Sequence, residues 1–325
     1  MTDSVPLLDV HGLRVVARRR DGDLPIVHGI DLQVGRGEAV GIVGESGSGK
    51  SLSMLAVMRL LSPPLVVAGG SILFEGTDLA TLPEARMRRL RGERLAMVYQ
   101  DPMTSLNPLM RIGDQVAEAM TAHGVAQRDA AARSLGLLAR VELPDPARAA
   151  RAYPHELSGG MRQRAVIAMA LAMGPRLLIA DEPTTALDVT IQRQILAVVN
   201  QLRRDMDMAT IWVTHDLGVV AQLVERVVVM YGGHVVEEAP VDRLFHAPQH
   251  PYTSALLAAL PDPLDDTRPP LAQIPGRPPL PSERIDGCPF RPRCAQARDA
   301  CAVRPPLEAR GEGRVACWVP PSEWT

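Results

Sequence analysis

Aromatic residues make up only 3% of the 325-residue chain, which leaves little material for base-stacking platforms on single-stranded nucleic acid. An excess of one charge sign is missing too. The 35 Lys and Arg face 37 Asp and Glu, so there is no broad pull toward nucleic acid or an anionic membrane. No uncharged apolar run approaches the roughly 18–20 residues needed to span a bilayer. The longest, Ala165–Met173, reads as a buried helix, so any membrane role has to come through a partner. The opening Met1-Thr2-Asp3-Ser4-Val5-Pro6 has no basic stretch followed by an apolar one, which predicts no secretion signal. Cysteine is absent until residue 288, and all 4 cysteines follow from there. No internal repeat is found, so no domain is expected to occur twice.

What is present begins with Gly44-Glu45-Ser46-Gly47-Ser48-Gly49-Lys50-Ser51, a complete G-x-x-x-x-G-K-S loop. The apolar run Ala39–Val43 predicts a buried strand leading into it, and Ser51–Leu61 a helix leaving it. Glycines let successive N–H groups face a phosphate, and the helix N-terminus adds partial positive charge. Lys50 is expected to bridge the terminal phosphates of ATP, and the Ser51 hydroxyl to ligate Mg²⁺. Arg176–Asp181 reads as a second buried strand, ended by the acid pair Asp181-Glu182. Asp181 is expected to hold Mg²⁺ through water, and Glu182 to act as general base or to orient the attacking water.

Three further segments complete the constellation. Gln100 follows the strand Leu95–Tyr99, where its amide is placed to touch Mg²⁺ and the lytic water. His215 follows the strand Ala209–Thr214 and is a candidate γ-phosphate sensor. Leu157-Ser158-Gly159-Gly160-Met161 opens an apolar helix, Met161–Met173, and offers amides and a hydroxyl to a phosphate. A helical stretch, Ile112–Leu143, separates this turn from the glycine loop in sequence. The productive arrangement is therefore two chains head to tail, with Ser158, Gly159 and Gly160 capping the partner's nucleotide and Ala186-Leu187-Asp188 along the seam.

Alternation of strands and helices predicts an α/β fold with its site at strand C-termini. Leu8–Val10, Leu13–Val16, Arg226–Tyr231 and His234–Val236 read as further strands, with a hairpin turn at Gly232-Gly233. Residues 1–260 are expected to form the nucleotide-binding domain, with a helical subdomain at about 101–160. Residues 261–325 are expected to form a connector and a small module. Pro261, Pro263, Pro269, Pro270, Pro275, Pro278, Pro279 and Pro281 make the connector stiff. Beyond it, Cys288, Cys294, Cys301 and Cys317 stand in a C-x5-C-x6-C-x15-C pattern whose soft thiolates suit a [4Fe–4S] cluster or tetrahedral zinc. Arg291, Arg293, Arg298 and Arg304 are expected to offset a cluster's negative charge. The module's distance in sequence from the hydrolysis groups points to a structural or regulatory role.

Taken in order, Gly44–Ser51, Gln100, Leu157–Met161, Leu177–Glu182, Ala186–Asp188 and His215 resemble the ATPases of ABC transporters over roughly residues 7–245. The resemblance implies a P-loop ABC ATPase domain with a mixed sheet and an inserted helical subdomain. Asp101-Pro102-Met103-Thr104-Ser105-Leu106-Asn107-Pro108, Met161, His250-Pro251-Tyr252-Thr253, Ile274-Pro275-Gly276 and Gly287-Cys288-Pro289-Phe290 narrow it to the dipeptide/oligopeptide importers. That resemblance implies two membrane permeases, an extracytoplasmic substrate-binding protein and a second, paralogous ATPase, with no nucleic acid partner. It implies a place on the cytoplasmic face of the membrane and peptide as cargo. Similar tails in that subfamily are associated with an iron–sulfur cluster, which favours [4Fe–4S] over zinc. A nickel or other small-solute importer and a soluble iron–sulfur-regulated ABC ATPase are the rival readings. One departure stands out. Ala17 occupies the place where the family offers adenine an aromatic ring, and Arg18-Arg19-Arg20 follow, which predicts modest base selectivity.

Overall fold

The computed structural model describes residues 5–184, 187–260, 273–283 and 285–324. Ala186 of the predicted seam and Pro261, Pro263, Pro269 and Pro270 of the predicted connector lie outside the described residues. The chain divides into two units: residues 1–7, 34–38 and 81–212 in the first, and 8–33, 39–80 and 213–325 in the second.

The second unit begins with β1 (Leu8–Ala17) and β2 (Leu24–Val34). The two short strands expected over residues 8–16 are one strand, interrupted by an irregularity where Gly12 takes φ +56°. β3 (Ala39–Val43) is buried along its whole length, as its unbroken apolar run demands. The helix after the glycine loop, α1 (Lys50–Val57), is shorter than expected. It stops at Met58, and Arg59 turns the backbone to φ +52° before Pro63 is reached. β4 (Leu65–Phe74) and β5 (Thr77–Asp78) complete an antiparallel sheet in the order β2-β1-β4-β5.

The first unit holds the helical region. It runs through α2 (Glu84–Glu93), β6 (Leu95–Val98), α3 (Pro102–Ser105), α4 (Ile112–Thr121), α5 (Gln127–Arg140), α6 (Pro146–Arg151) and α7 (Gly159–Ala170). The helical periodicity over 112–143 is two helices, because Gly124 at φ +86° breaks it. Helix α5 buries Ala130, Ser134 and Leu138, one stripe at four-residue spacing in which the Ser134 hydroxyl donates to the Ala131 carbonyl. Buried Gln115 on α4 is satisfied three times: Oε1 accepts from Asn107 N–H, and Nε2 donates to the carbonyls of Asn107 and Met110. That fixes the loop after the Asp101–Pro108 segment. β7 (Leu177–Asp181) runs parallel to β6, pairing Leu95 with Leu177 through Val98 with Ala180. α8 (Val189–Asp205), capped by the Asp188 carboxylate, leads to β8 (Ala209–Thr214).

The chain then returns to the second unit with α9 (Leu217–Val220), β9 (Arg226–Tyr231), β10 (His234–Pro240), α10 (Val241–His246) and α11 (Pro251–Ala258). Gly232 and Gly233, at φ +53° and +78°, make the tight hairpin expected between β9 and β10. β3 lies parallel to β9, and β10 pairs antiparallel with both β9 and β12. The short strands β11 (Glu308–Arg310) and β12 (Gly313–Val315) therefore tie the cysteine segment to this sheet, in the order β11-β12-β10-β9-β3. Glu237 on β10 is a buried carboxylate accepting the N–H groups of Gln249 and His250, which anchors the start of α11.

Candidate functional site

The glycine loop is shaped by its own backbone. Gly44 leaves β3 at φ +150°, where a Cβ would stand 2.1 Å from the Met230 carbonyl oxygen, so no other residue fits. Gly49 at φ +94° turns the chain into α1. Lys50 is 5% exposed, and its Nζ donates to the carbonyls of Gly44 at 2.7 Å and Glu45 at 3.0 Å. Its ammonium thus lies across the loop, held by the loop's own acceptors. Ser51 follows in the first turn of α1, where amide donors without intrahelical acceptors gather.

In the first unit, the parallel pairing of β6 with β7 brings the two strands' C-terminal ends to one edge. Gln100, two residues past β6, donates from Nε2 to Glu182 Oε2 at 3.1 Å. Asp181 closes β7 as a buried carboxylate, 8% exposed. Glu182 takes φ +46°, a left-handed conformation that a non-glycine residue adopts at a cost of order 1–3 kcal/mol. Burial raises the Tyr99 hydroxyl pKa above its usual value.

Ser158 caps α7, its Oγ accepting the Met161 N–H at 3.3 Å. The hydroxyl is therefore spent partly on its own helix, while the Gly159 and Gly160 amides open the first turn. A Cβ on Gly160 would lie 2.6 Å from Ile191 Cγ2, so this glycine also lets α7 approach α8 closely. His215 is exposed and belongs to the second unit. The turn around it is fixed, with Asp216 N–H donating to Thr214 Oγ1 and the Asp216 carboxylate capping α9. Ala17 ends β1 buried, with Arg18, Arg19 and Arg20 exposed beyond it. Glu182, Gln100, Asp181 and Ser158–Gly160 belong to the first unit, and Gly44–Ser51, His215 and the four cysteines to the second.

None of the four cysteines is in a disulfide, and all four line one small cavity with His250, Phe290 and Arg291. Burial pushes the Cys288 thiol up to about 11 and raises those of Cys294 and Cys317, while hydrogen bonds from the backbone of Phe290, Gln296 and Val319 act the other way. Among the described residues, no three His, Cys, Asp or Glu side chains stand close enough to hold a single metal ion. The cavity nevertheless gathers soft donors: the four cysteines line it, and beside them the buried Nε2–H of His250, whose Nδ1 accepts the Tyr252 N–H, has no acceptor. Two of the four arginines expected to offset a cluster are committed elsewhere, Arg298 to Glu323 and Arg293 to Glu45, and Arg304 contacts His234. Arg291 is the one of the four that lines the cavity.

Sequence reasoning missed Tyr231, Tyr252 and Phe290, whose rings cluster at centroid distances of 4.6 to 5.2 Å. The signals available were the His250–Thr253 and Gly287–Phe290 stretches, read there only as marks of resemblance. Among the described residues, no helix is long and apolar enough to cross a membrane.

Comparison with known proteins agrees with this geometry. Residues 27–185 match the ABC transporter family, and residues 236–301 match the C-terminal region of oligopeptide/dipeptide transporters. The oligopeptide transport ATP-binding protein OppD of Salmonella typhimurium (strain LT2) is 47% identical over 319 residues, covering 98% of this chain and 95% of that protein. A dimeric, post-hydrolysis structure of the ATP-binding cassette MJ0796 bound to ADP and Pi is similar with a TM-score of 0.65 and 26% identity, over 72% of this chain and 98% of that one. The cbiO1 structure from Clostridium perfringens, part of the cbiONQ ABC transporter complex, gives a TM-score of 0.65 and 25% identity, over 75% and 92%.

Proposed function

The chain belongs to the ABC transporter family, with the tail region of its oligopeptide/dipeptide branch, and from this we propose that it is the ATP-hydrolysing subunit of a di- or oligopeptide importer. The observation that carries this reading is the presence of both regions in one chain that matches a peptide-transport ATPase almost end to end. In this reading the Lys50 ammonium leaves the loop carbonyls for the terminal phosphates of ATP. Glu182, held by Gln100, orients the attacking water and receives its proton. His215 meets the γ-phosphate, and Ser158, Gly159 and Gly160 of a second ATPase cap it in trans. That a similar cassette is dimeric in its post-hydrolysis structure supports the pairing of two ATPases.

Ser51, Gln100 and Asp181 are hard oxygen donors that would hold Mg²⁺, which when bound neutralises charge on the β- and γ-phosphates. Two permeases at the cytoplasmic face take up the closing motion through the helical region, the second ATPase is a paralogue, and an extracytoplasmic protein delivers cargo. Cys288, Cys294, Cys301 and Cys317 would hold a [4Fe–4S] cluster, which when bound braces or redox-tunes the tail. The thiol set and the orphaned His250 Nε2 support that assignment. Anaerobic purification yielding iron and sulfide near stoichiometry is expected, and metal-free protein of full activity counts against it.

The whole reading is tested by co-purifying the chain with permeases from detergent-solubilised membranes and assaying the reconstituted assembly. ATP turnover stimulated by peptide is expected. Stimulation by nickel rather than peptide, or a chain that never associates with permeases, would overturn it.

A further inference from the structure

Glu45 is the second residue of the phosphate loop, and each of its polar groups is held. Its N–H donates to Tyr252 Oη at 2.8 Å, its carbonyl accepts from Lys50 Nζ at 3.0 Å, and its carboxylate receives both arms of Arg293 at 2.6 and 3.0 Å. Of these three partners only Lys50 belongs to the loop, whose Ser48 N–H also donates to the Glu45 carbonyl at 3.2 Å. Tyr252 sits on α11, and Arg293 lies in the cysteine-bearing segment, next to Cys294.

Arg293 is itself fastened on every side. Nε donates to the Pro275 carbonyl at 2.8 Å, one terminal nitrogen to Ile274 at 3.2 Å, and the other to Tyr231 Oη at 3.2 Å. Its side chain is 5% exposed, against 25% for Glu45. A two-armed pair between a buried guanidinium and a carboxylate differs from a solvated surface pair. Here the loss of one partner leaves a poorly hydrated charge behind.

That remaining charge matters because of where it stands. A triphosphate brings several negative charges to the loop, and an unpaired carboxylate at its second position repels them. We infer that Arg293 is a positioning residue for nucleotide binding: it neutralises Glu45 and ties it back, so that the loop's affinity for a nucleoside triphosphate depends on the fold of the cysteine-bearing segment. Sequence distance had assigned this segment a role apart from the phosphate site. The inference rests on the ATP-binding reading above and does not depend on what the cysteines hold.

The test is titration of the purified full-length chain with MgATP, beside steady-state turnover of the complete assembly. Arg293→Gln is expected to weaken MgATP binding on the order of tenfold and to raise KM more than it lowers kcat. The loss should shrink at high salt, as charge repulsion does. Glu45→Gln alone removes the repelling carboxylate but leaves the buried Arg293 guanidinium unpaired, and it is the reference against which the double variant is read. The double variant is expected to recover most of what Arg293→Gln loses, because the repelling carboxylate is gone. A bracing role alone predicts no such recovery. Arg293→Lys, which keeps the charge and loses the fork, is expected to fall between wild type and Arg293→Gln, and it carries the test should Arg293→Gln fail to fold. Arg293 variants that bind like wild type, or a double variant no better than Arg293→Gln, would overturn the inference. A wild-type chain that does not bind MgATP would overturn the ATP reading itself, and this inference with it.

Discussion

Gln100 Nε2 donates to Glu182 Oε2 at 3.1 Å, across 82 residues of sequence. The pair exists because β6 and β7 run parallel and end together, so the residues just past each strand meet. Glu182 is held there in a left-handed conformation. Strain of that kind persists where the surroundings determine a residue's place more strongly than its own preference does. Glu182→Gln keeps the size and the left-handed turn but removes the proton acceptor. ATP binding should remain near wild type while turnover falls by roughly 10²–10⁴-fold. Gln100→Ala, which removes this donor and keeps the carboxylate, should cost less. Parallel nucleotide titration and phosphate-release assays check both; undiminished hydrolysis in Glu182→Gln would remove Glu182 from its assigned role.

Lys50 is the only lysine in the sequence, every other basic side chain of the Lys/Arg type being arginine. An amine-acylating reagent therefore has one internal target besides the chain's α-amino group. Lys50 Nζ lies against the Gly44 and Glu45 carbonyls, so labelling should be slow in the free protein. MgATP should suppress it further, because a phosphate-paired ammonium is less nucleophilic still. Intact-mass measurement during labelling checks this. Equal rates with and without nucleotide would mean that Lys50 does not meet the phosphates. Lys50→Ala should abolish productive nucleotide binding.

His250 gives a pH dependence with a definite sign. Burial lowers its folded pKa to about 3, from the usual 6.5. Nδ1 accepts the Tyr252 N–H at 3.0 Å and cannot do so when protonated. Stability from this group is thus fully present above pH 6.5 and is lost as pH falls from 6.5 toward 3, because the unfolded chain takes the proton first. The slope is at most about 1.4 kcal/mol per pH unit. Asn at this position keeps a side-chain cap for α11 without titrating. Between pH 6.5 and 5.5, denaturant unfolding of His250→Asn should show a shallower fall in stability than wild type. Parallel curves would show that His250 does not titrate as its burial requires.

The parts of the site that could be read from the sequence are those that local rules dictate. The run Ala39–Val43, the glycines after it and Lys50 describe a strand, a turn and a helix start, and the fold has all three. The Asp181-Glu182 pair was placed at a strand end by the same reasoning, and Asp181 closes β7. The Gln100 contact needed a further fact, the parallel pairing of β6 with β7, which periodicity does not contain. The Arg293–Glu45 pair was out of reach altogether. The two residues are 248 apart, and each has a sufficient local explanation: one as a loop residue, the other as a counter-charge for cysteines. The predicted end of the helix after the glycine loop failed where a left-handed residue intervened, at Arg59 after α1.

Gly160 separates two reasons for a glycine at a helix start. An ideal Cβ on it would lie 2.6 Å from Ile191 Cγ2, well inside contact distance. Its φ is not in the left-handed region, so backbone freedom is not what the position requires. Gly160→Ala should therefore act through crowding between α7 and α8, at a cost of about 1–3 kcal/mol for an overpacked contact. Ile191→Ala removes the methyl group that obstructs the new Cβ. In thermal or denaturant unfolding, the double variant should cost less than the two single changes added together. Adjacent Gly159 has a looser neighbour, Leu187 Cδ2 at 3.4 Å, and Gly159→Ala should leave stability nearly unchanged. If Gly159→Ala nevertheless abolishes turnover in the assembled transporter while Gly160→Ala/Ile191→Ala retains it, the phosphate-facing requirement falls on Gly159 and the packing requirement on Gly160. Equal loss of stability at both positions would mean that the close approach to Ile191 is not what makes Gly160 necessary.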